Sequence, residues 1–154
     1  MVVGLIADTH GLVRPEIFPA LAGVELILHA GDVGGHAVLT ELSAIAPVRA
    51  VFGNTDAPGE PDLASHLALK LEGLSIHVSH GHEVGSPNPA KLLARYTADV
   101  VIYGHTHKPL IERAGRRLVV NPGAAGPRRF SLQVSVARMI VNASGAEVEI
   151  LWLT

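Results

Sequence analysis

The chain has 154 residues, no cysteine and a formal net charge of −2 at pH 7. Hydrophobic residues make up 48% of it and charged residues only 17%, which excludes a disordered chain and favours strands covered on both faces. The lack of cysteine excludes disulfides and thiolate metal sites. The weak net charge offers no general attraction to nucleic acid, so a nucleic-acid partner is not favoured.

Membrane and targeting signals are missing from the sequence. No apolar run approaches the roughly 20 residues that a membrane-spanning helix needs, so we expect no membrane association. Residues 1–7 carry no basic leader or cleavage signal and predict a first strand instead. We therefore expect a cytoplasmic protein that forms a single domain over residues 1–154.

The first half of the chain alternates strand and helix signals. Apolar runs at 2–7, 24–28 and 48–52 predict three strands, and amphipathic segments between them predict two helices. Gly23 closes the first helix, and the second stops before Pro47. The predicted apolar faces are Ile17, Phe18 and Leu21 in the first helix and Val38, Leu39, Leu42 and Ile45 in the second. This order is typical of parallel βαβ units.

The second half is richer in strands. It predicts a loop at 57–62, followed by a hairpin of 67–71 and 74–79 around Glu72-Gly73. A helix is predicted from Asn88-Pro89, with Leu92, Leu93 and Tyr96 inward, and a strand from Val100. Two more hairpins are predicted, one of 110–113 and 117–120 and one that runs from Leu132 to Val136 and from Val148 to Trp152. The antiparallel hairpins together with the parallel units indicate mixed sheets, packed face to face with helices outside.

Five of the apolar runs end in side chains that suit a metal ion. These side chains are Asp8 and His10, Asp32, Asn54, His80, and His105 with His107. Ligands gather beyond the carboxyl ends of strands in open α/β sheets, so we expect these ends to converge. Seven groups suit two ions about 3.5–4 Å apart that share one carboxylate. Asp32 is the natural bridge, because a carboxylate has two oxygens and its charge offsets the repulsion between two cations.

The order of the motifs resembles a known family. D-x-H, G-D, G-N, H-G-H and G-H-x-H follow one another as in the calcineurin-like metallophosphoesterases, and the Asn121-Pro122-Gly123-Ala124 segment is similar to the small bacterial and archaeal phosphodiesterase branch. The resemblance implies an α/β fold, a four-layer sandwich of two mixed β-sheets flanked by α-helices. It also implies two divalent metal ions per chain, with Mn²⁺ or Ni²⁺ favoured and Fe or Zn²⁺ as alternatives.

The resemblance assigns the ligands residue by residue. Asp8, His10 and His107 would hold the first metal, with Asp32 bridging, and Asn54, His80 and His105 would complete the second. In the H-G-H motif His80 lies directly at the strand end and is assigned as the ligand, and His82 is its rival.

The implied reaction is hydrolysis of a small phosphate ester, more specifically a phosphodiester. A hydroxide that bridges the two metals would attack phosphorus in line. No protein nucleophile is needed, so Asp32, Asn54 and His80 would be catalytic through the metals. The alternatives are a phosphomonoesterase and a non-catalytic protein-binding scaffold, as in the retromer subunit that resembles these enzymes. A homo-oligomer is left open.

The sequence departs from the family at Thr55, where many members have a histidine thought to protonate the leaving oxygen. A threonine hydroxyl is too weak an acid for that work at pH 7, so the residue that supplies the proton is open, with His82 and His36 as candidates. His36 could also contact substrate. Arg128 or Arg129 could clamp a phosphate, although solvated loop arginines are the competing interpretation.

The remaining histidines favour structural interpretations. His29 is expected to make a hydrogen bond beneath the site, and His66 and His77 are expected to be structural or on the surface. Gly31, Gly53 and Gly104 each precede a proposed ligand, where a small residue would let the backbone turn tightly beside the metals.

Overall fold

The computed structural model describes residues 1–57, 63–129 and 131–153. Within these ranges the strands are β1 (Val2–Ile6), β2 (Leu26–His29), β3 (Val48–Val51), β4 (Leu63–Ala64), β5 (His66–Leu71), β6 (Leu74–Ser79), β7 (Val100–Ile102), β8 (Leu110–Ala114), β9 (Arg117–Asn121), β10 (Ser135–Asn142) and β11 (Gly145–Trp152). The helices are α1 (Ile17–Ala20), α2 (His36–Leu42) and α3 (Pro89–Arg95), with a 3₁₀ turn at His82–Val84. No helix in the described ranges is long and apolar enough to cross a membrane.

The first sheet has six strands in the order β11-β10-β1-β2-β3-β4. Strands β1 to β4 run parallel, and β10 and β11 add an antiparallel hairpin at one side. Ile6 is in register with His29, and His29 with Ala50. The carboxyl ends of β1, β2 and β3 therefore lie at one edge of the sheet.

The second sheet has five strands in the order β5-β6-β7-β9-β8. Its three central strands are parallel, and Val78, Ile102 and Val120 are in register across them. The predicted hairpin of β5 and β6 is confirmed, because the two strands pair antiparallel from His66 and Ser79 to Leu71 and Leu74. Glu72 and Gly73 at its turn have φ values of 51° and 86°, as a two-residue type I′ turn requires. The carboxyl ends of β6 and β7 again share one edge.

The two sheets pack face to face, with helices on the outside. Val3 and Leu5 of β1 contact the core between the sheets, together with Val100 and Ile102 of β7. The intervening residues point outwards, with Ile6 against α1 and α2 and Val101 and Tyr103 against α3. This alternation follows from the two faces of a strand, and it gives the predicted four-layer sandwich.

The structure differs from the sequence predictions in a few places. The helix predicted to end at Gly23 contains only Ile17–Ala20, and Phe18 is 38% exposed because it lies about 100° around the helix from the buried Ile17. The strand predicted from Leu132 begins at Ser135. Trp152 shares the alternating apolar positions of Val148 and Ile150, but it is 50% exposed at the end of the edge strand β11. Of the predicted loop at 57–62, residues 58–62 lie outside the described ranges.

Candidate metal centre

The carboxyl ends of five strands, three from one sheet and two from the other, meet at one rim. His80, after β6, lies at the centre of this rim, with its Nε2 atom 3.3 Å from Asp32 Oδ2 and 3.8 Å from Asp8 Oδ1. The same Nε2 atom is 3.0 Å from Asn54 Oδ1. One imidazole nitrogen thus faces three oxygen atoms that come from the ends of β1, β2 and β3.

Two further histidines close the other side of the rim. His10 Nε2 lies 3.7 Å from Asp32 Oδ2, and His107 Nε2 lies 3.6 Å from Asp8 Oδ1. Asp8, His10 and His107 form one group whose candidate ligand atoms lie within 4.8 Å of one another, and Asp8, Asp32 and His80 form another. Both carboxylates lie between the two sets of histidines.

Asn54 and His105 form the solvent side of the centre. The Oδ1 atom of Asn54 lies 3.2 Å from His105 Nδ1, and the Asn54 side chain is exposed. The His82 ring centroid lies 5.4 Å from that of His80 and 6.3 Å from that of His105. The structure therefore places His80, rather than His82, among the carboxylates.

The unpaired atoms at the rim fit a cation. Asp8 Oδ1 and His10 Nε2 are buried and have no hydrogen-bond partner among the described residues. A buried polar atom left without a partner costs about 1–3 kcal/mol, and a bound cation would satisfy both atoms. The donor set contains only imidazole nitrogens and carboxylate or amide oxygens, which suits first-row divalent ions such as Mn²⁺, Ni²⁺, Fe²⁺ and Zn²⁺.

Backbone conformation at the rim is unusual. Five of the seven proposed ligands have positive φ values, namely Asp8 (54°), His10 (46°), Asp32 (52°), His105 (73°) and His107 (64°). Glycines allow the close packing beside them. A Cβ atom on Gly53 would lie 2.1 Å from Asp32 Oδ1, and one on Gly31, whose φ is 100°, would lie 2.7 Å from His80 Nδ1. Only glycine fits at these two positions without displacing a proposed ligand.

The ionisation of the site follows from burial and close charges. Burial, opposed by the charge of His80 and reinforced by that of Asp32, raises the pKa of Asp8 to about 7. Burial would also raise the pKa of Asp32, but the hydrogen bond and charge of His80, together with the Thr55 N–H, outweigh it and lower that pKa. Burial, followed by the positive charge of Arg129, lowers the pKa of His107 to about 4. His107 is therefore neutral at pH 7, as a metal ligand must be.

His29 lies beneath the centre and is fully buried. Its Nδ1 atom accepts a hydrogen bond from the Gly31 N–H, so its Nε2 atom carries the proton and donates to Thr9 Oγ1. Thr9 in turn donates to the Val33 carbonyl. Burial lowers the pKa of His29 to about 3, which keeps it neutral. This chain of bonds confirms the structural role expected for His29, because it ties the loop after β1 to the loop after β2.

Asn121, in the segment that the sequence analysis noted only for its resemblance to the phosphodiesterase branch, is a supporting residue of the rim. It is fully buried, and its amide donates to the Gly104 carbonyl and to Thr106 Oγ1. These bonds hold the loop between His105 and His107. The available signal was the same as at the ligands, since Asn121 is also a polar residue at the end of an apolar strand.

The proposed substrate residues lie at different distances from the rim. Arg129 is exposed, and its positive charge contributes to the lowered pKa values of His10 and His107. Arg128 instead lines a cavity of about 290 Å³ with Arg14 and other residues away from the rim. His36 begins α2 and lines a cavity of about 200 Å³ together with Thr55.

Known proteins are similar to this chain in sequence and in fold. The model of the calcineurin-like phosphoesterase superfamily domain matches residues 1–144. A probable metallophosphoesterase of Methanothermobacter thermautotrophicus is 36% identical over 159 residues, which cover 96% of this chain and 91% of that protein. A phosphodiesterase of Methanocaldococcus jannaschii is 30% identical over 141 residues, which cover 80% of this chain and 83% of that protein.

A solved structure shows the same fold at lower sequence identity. Wild-type Vps29 of Entamoeba histolytica, solved in complex with Zn²⁺, superimposes with a TM-score of 0.80 at 23% identity, over 100% of both chains. The family match over residues 1–144 and the relatives that are at least 30% identical agree with one another. The chain therefore belongs to the calcineurin-like phosphoesterase superfamily.

Proposed function

We propose that the protein is a phosphodiesterase that works with two divalent metal ions at the rim described above. The observation that carries this proposal is the convergence of seven nitrogen- and oxygen-bearing side chains, with Asp8 Oδ1 and His10 Nε2 buried and unpartnered among the described residues. Asp8, His10, Asp32 and His107 would hold one ion, and Asp32, Asn54, His80 and His105 would hold the other. Bound divalent ions generate hydroxide near neutral pH and neutralise the charge that develops on a reacting phosphate.

Hydrogen bonds orient His80 and Asp32 for metal binding. The Nδ1 atom of His80 lies 2.8 Å from the Ala30 carbonyl, which can only accept, so Nδ1 carries a proton. The Nε2 atom, which faces Asp32 and Asn54, is therefore the one that would bind a metal, and it would release its own proton to do so. Asp32 uses Oδ1 to accept from the Thr55 N–H at 2.9 Å, and its Oδ2 atom faces both His10 and His80. This arrangement supports Asp32 as the bridging carboxylate.

The preference for diesters rests on the substrate side of the rim. The phosphodiesterase relative supports it, and Thr55 offers no group that could protonate a poor leaving oxygen. Arg129 would bind a phosphate oxygen, since its charge already acts on the proposed ligands of the first ion. Mn²⁺ or Ni²⁺ are the ions we favour. A cytoplasmic location and a homo-oligomer remain predictions.

Metal-dependent hydrolysis of a chromogenic phosphodiester is the direct experiment. Chelator-stripped protein would be assayed with Mn²⁺, Ni²⁺ or Zn²⁺ added singly, beside the matching phosphomonoester, and bound metal would be counted. We expect about two ions per chain and a higher kcat/KM on the diester than on the monoester. A higher kcat/KM on the monoester would make the protein a phosphomonoesterase, and a failure to bind metal would refute the proposal.

Removal of one carboxylate charge tests the bridging role. We expect Asp32→Asn to lower both the affinity for metal and the diester turnover by at least about 100-fold, because even partners of metal ligands typically contribute 10- to 100-fold. His66→Ala is the matched control, since His66 is exposed on β5 and belongs to neither candidate ligand group among the described residues, and it should leave both quantities unchanged. Near-normal metal content in Asp32→Asn would refute the bridging assignment.

A non-catalytic scaffold is the second candidate, because the fold closely matches Vps29 and Thr55 replaces the histidine common in the enzymes. All seven proposed ligand residues are present in this chain, which favours an enzyme. Two bound ions without turnover of either ester, combined with stable binding of a protein partner, would favour the scaffold.

A further inference from the structure

Asp56 links two of the loops that carry proposed ligands. Its Oδ2 atom accepts hydrogen bonds from the backbone N–H groups of Val33, at 3.0 Å, and Gly53, at 2.9 Å. Its Oδ1 atom accepts from the Gly34 N–H at 3.0 Å. Val33 and Gly34 follow β2, whereas Gly53 follows β3. One carboxylate therefore joins the ends of two neighbouring strands.

The three backbone donors lie beside proposed ligands. Val33 follows Asp32 directly, and Gly53 precedes Asn54. A further bond runs in the opposite direction, from the Thr55 N–H to Asp32 Oδ1 at 2.9 Å. The two loops are thus fixed to each other from both sides, and the spacing between Asp32 and Asn54 depends on these bonds.

Only a carboxylate can make this set of bonds. Backbone N–H groups are obligatory donors, and an ionised carboxylate offers two acceptor oxygens and no hydrogen. An asparagine at the same position would keep the shape but turn an NH₂ group towards at least one backbone N–H. Asp56 belongs to neither of the candidate ligand groups found among the described residues, so its role would act through the loops.

We propose that Asp56 is a positioning residue that sets the distance between Asp32 and Asn54 and thereby the affinity for the metal ion that these two residues share. The inference rests on the proposed function, since it concerns the same metal centre. Asp56 is the fourth residue of the Gly53-Asn54-Thr55-Asp56 segment, and it would act there without binding a metal itself.

The test compares Asp56→Asn with a matched variant elsewhere. Asp99 also accepts a backbone hydrogen bond, from the Ser75 N–H at 2.9 Å, but it precedes β7 at the opposite edge of the sheet from the rim. Asp99→Asn therefore makes the same chemical change in a carboxylate that accepts a backbone hydrogen bond away from the proposed metal centre. Asp56→Ser is a second variant, whose shorter side chain cannot span both loops and whose hydroxyl avoids the misplaced NH₂ group.

Mn²⁺ binding to the metal-free proteins would be measured by isothermal titration calorimetry, and unfolding of the same samples by urea. We expect Asp56→Asn and Asp56→Ser to lower the affinity for one of the two ions by about 10- to 100-fold, while Asp99→Asn binds both ions as the wild type does. Unchanged affinity in both Asp56 variants would overturn the inference, as would an equal loss in Asp99→Asn. A wild-type protein that binds no Mn²⁺ would instead refute the proposed function.

Discussion

At the scale of single residues, the candidate metal centre depends on backbone conformations that its side chains do not favour. A non-glycine residue with positive φ costs about 1–3 kcal/mol, and such residues recur along this rim. Hydrogen bonds between the loops hold them in place. Asp8 N–H donates to the Gly31 carbonyl at 2.9 Å, and His10 N–H donates to the Asp32 carbonyl at 2.9 Å. The strain is concentrated where the ligands are aimed, which is typical of functional sites.

The two histidines of the H-G-H motif provide a prediction at this scale. We expect His80→Ala to lower Mn²⁺ affinity by at least about 100-fold, since it removes a nitrogen that faces Asp8, Asp32 and Asn54. Loss of a proposed ligand should cost more than loss of a residue that only hydrogen-bonds to a ligand, which typically costs 10- to 100-fold. We expect His82→Ala to bind both ions as the wild type does. Calorimetric titration of both variants is the measurement. Loss of an ion in His82→Ala but not in His80→Ala would reverse the assignment.

At the scale of elements, one arginine connects the carboxyl end of α3 to the second sheet, beside the apolar contacts of Leu92. The guanidinium of Arg117, the first residue of β9, donates to the carbonyls of Leu93 and Ala98 at 3.0 Å each, and also to the Tyr96 carbonyl. Leu93 and Tyr96 belong to the last turn and C-cap of α3, where carbonyl groups lack partners within the helix. Arg117 satisfies them and fixes the end of α3 to the start of β9.

Replacement of this arginine should weaken the whole outer layer. We expect Arg117→Met to lower the free energy of unfolding by about 2–4 kcal/mol, because hydrogen bonds from a charged donor contribute roughly 1.5–3 kcal/mol each and are not additive. For a chain of this size, the melting temperature should fall by roughly 5–15 °C. The neighbouring Arg116 is exposed, so Arg116→Met is the control. Equal melting temperatures for the two variants would contradict this account of the α3 end.

At the scale of the whole molecule, the candidate metal centre takes side chains from both sheets. Asp8, Asp32 and Asn54 follow strands of the six-stranded sheet, and His80 and His105 follow strands of the five-stranded sheet. The fully buried core between the sheets lies directly behind this rim. An ion bound by side chains from both sheets would be bound only by the folded protein, and it would therefore stabilise the molecule as a unit.

Thermal unfolding with and without metal tests this coupling. We expect Mn²⁺ at about 100 times its dissociation constant to stabilise the metal-free protein by roughly 2.7 kcal/mol for each ion bound. The melting temperature should then rise by roughly 5–10 °C per ion. Excess chelator should reverse the rise, and unfolding should stay a single transition for both sheets. A melting temperature that does not respond to Mn²⁺ would contradict a centre that holds both sheets together.

The sequence by itself determined the order of the strands along the chain and the residues that follow them. Asp8, Asp32 and His80 could be selected because each follows a short apolar run, and such runs between turn signals are typical of buried strands. The hairpin around Glu72-Gly73 was equally local, since its two positive φ values are a property of the turn. The four-layer arrangement came from the family resemblance that these local motifs carried.

Tertiary structure decided everything that depends on which strands become neighbours. Only the side-by-side placement of β6 and β7, opposite β1 and β2, puts His80 rather than His82 among the carboxylates. The bonds of Asp56 to Val33 and Gly34 span more than 20 positions in sequence, and they exist because β2 and β3 lie in parallel register. The sequence gives the type of each side chain, whereas packing between residues far apart in the chain sets the distance between two side chains.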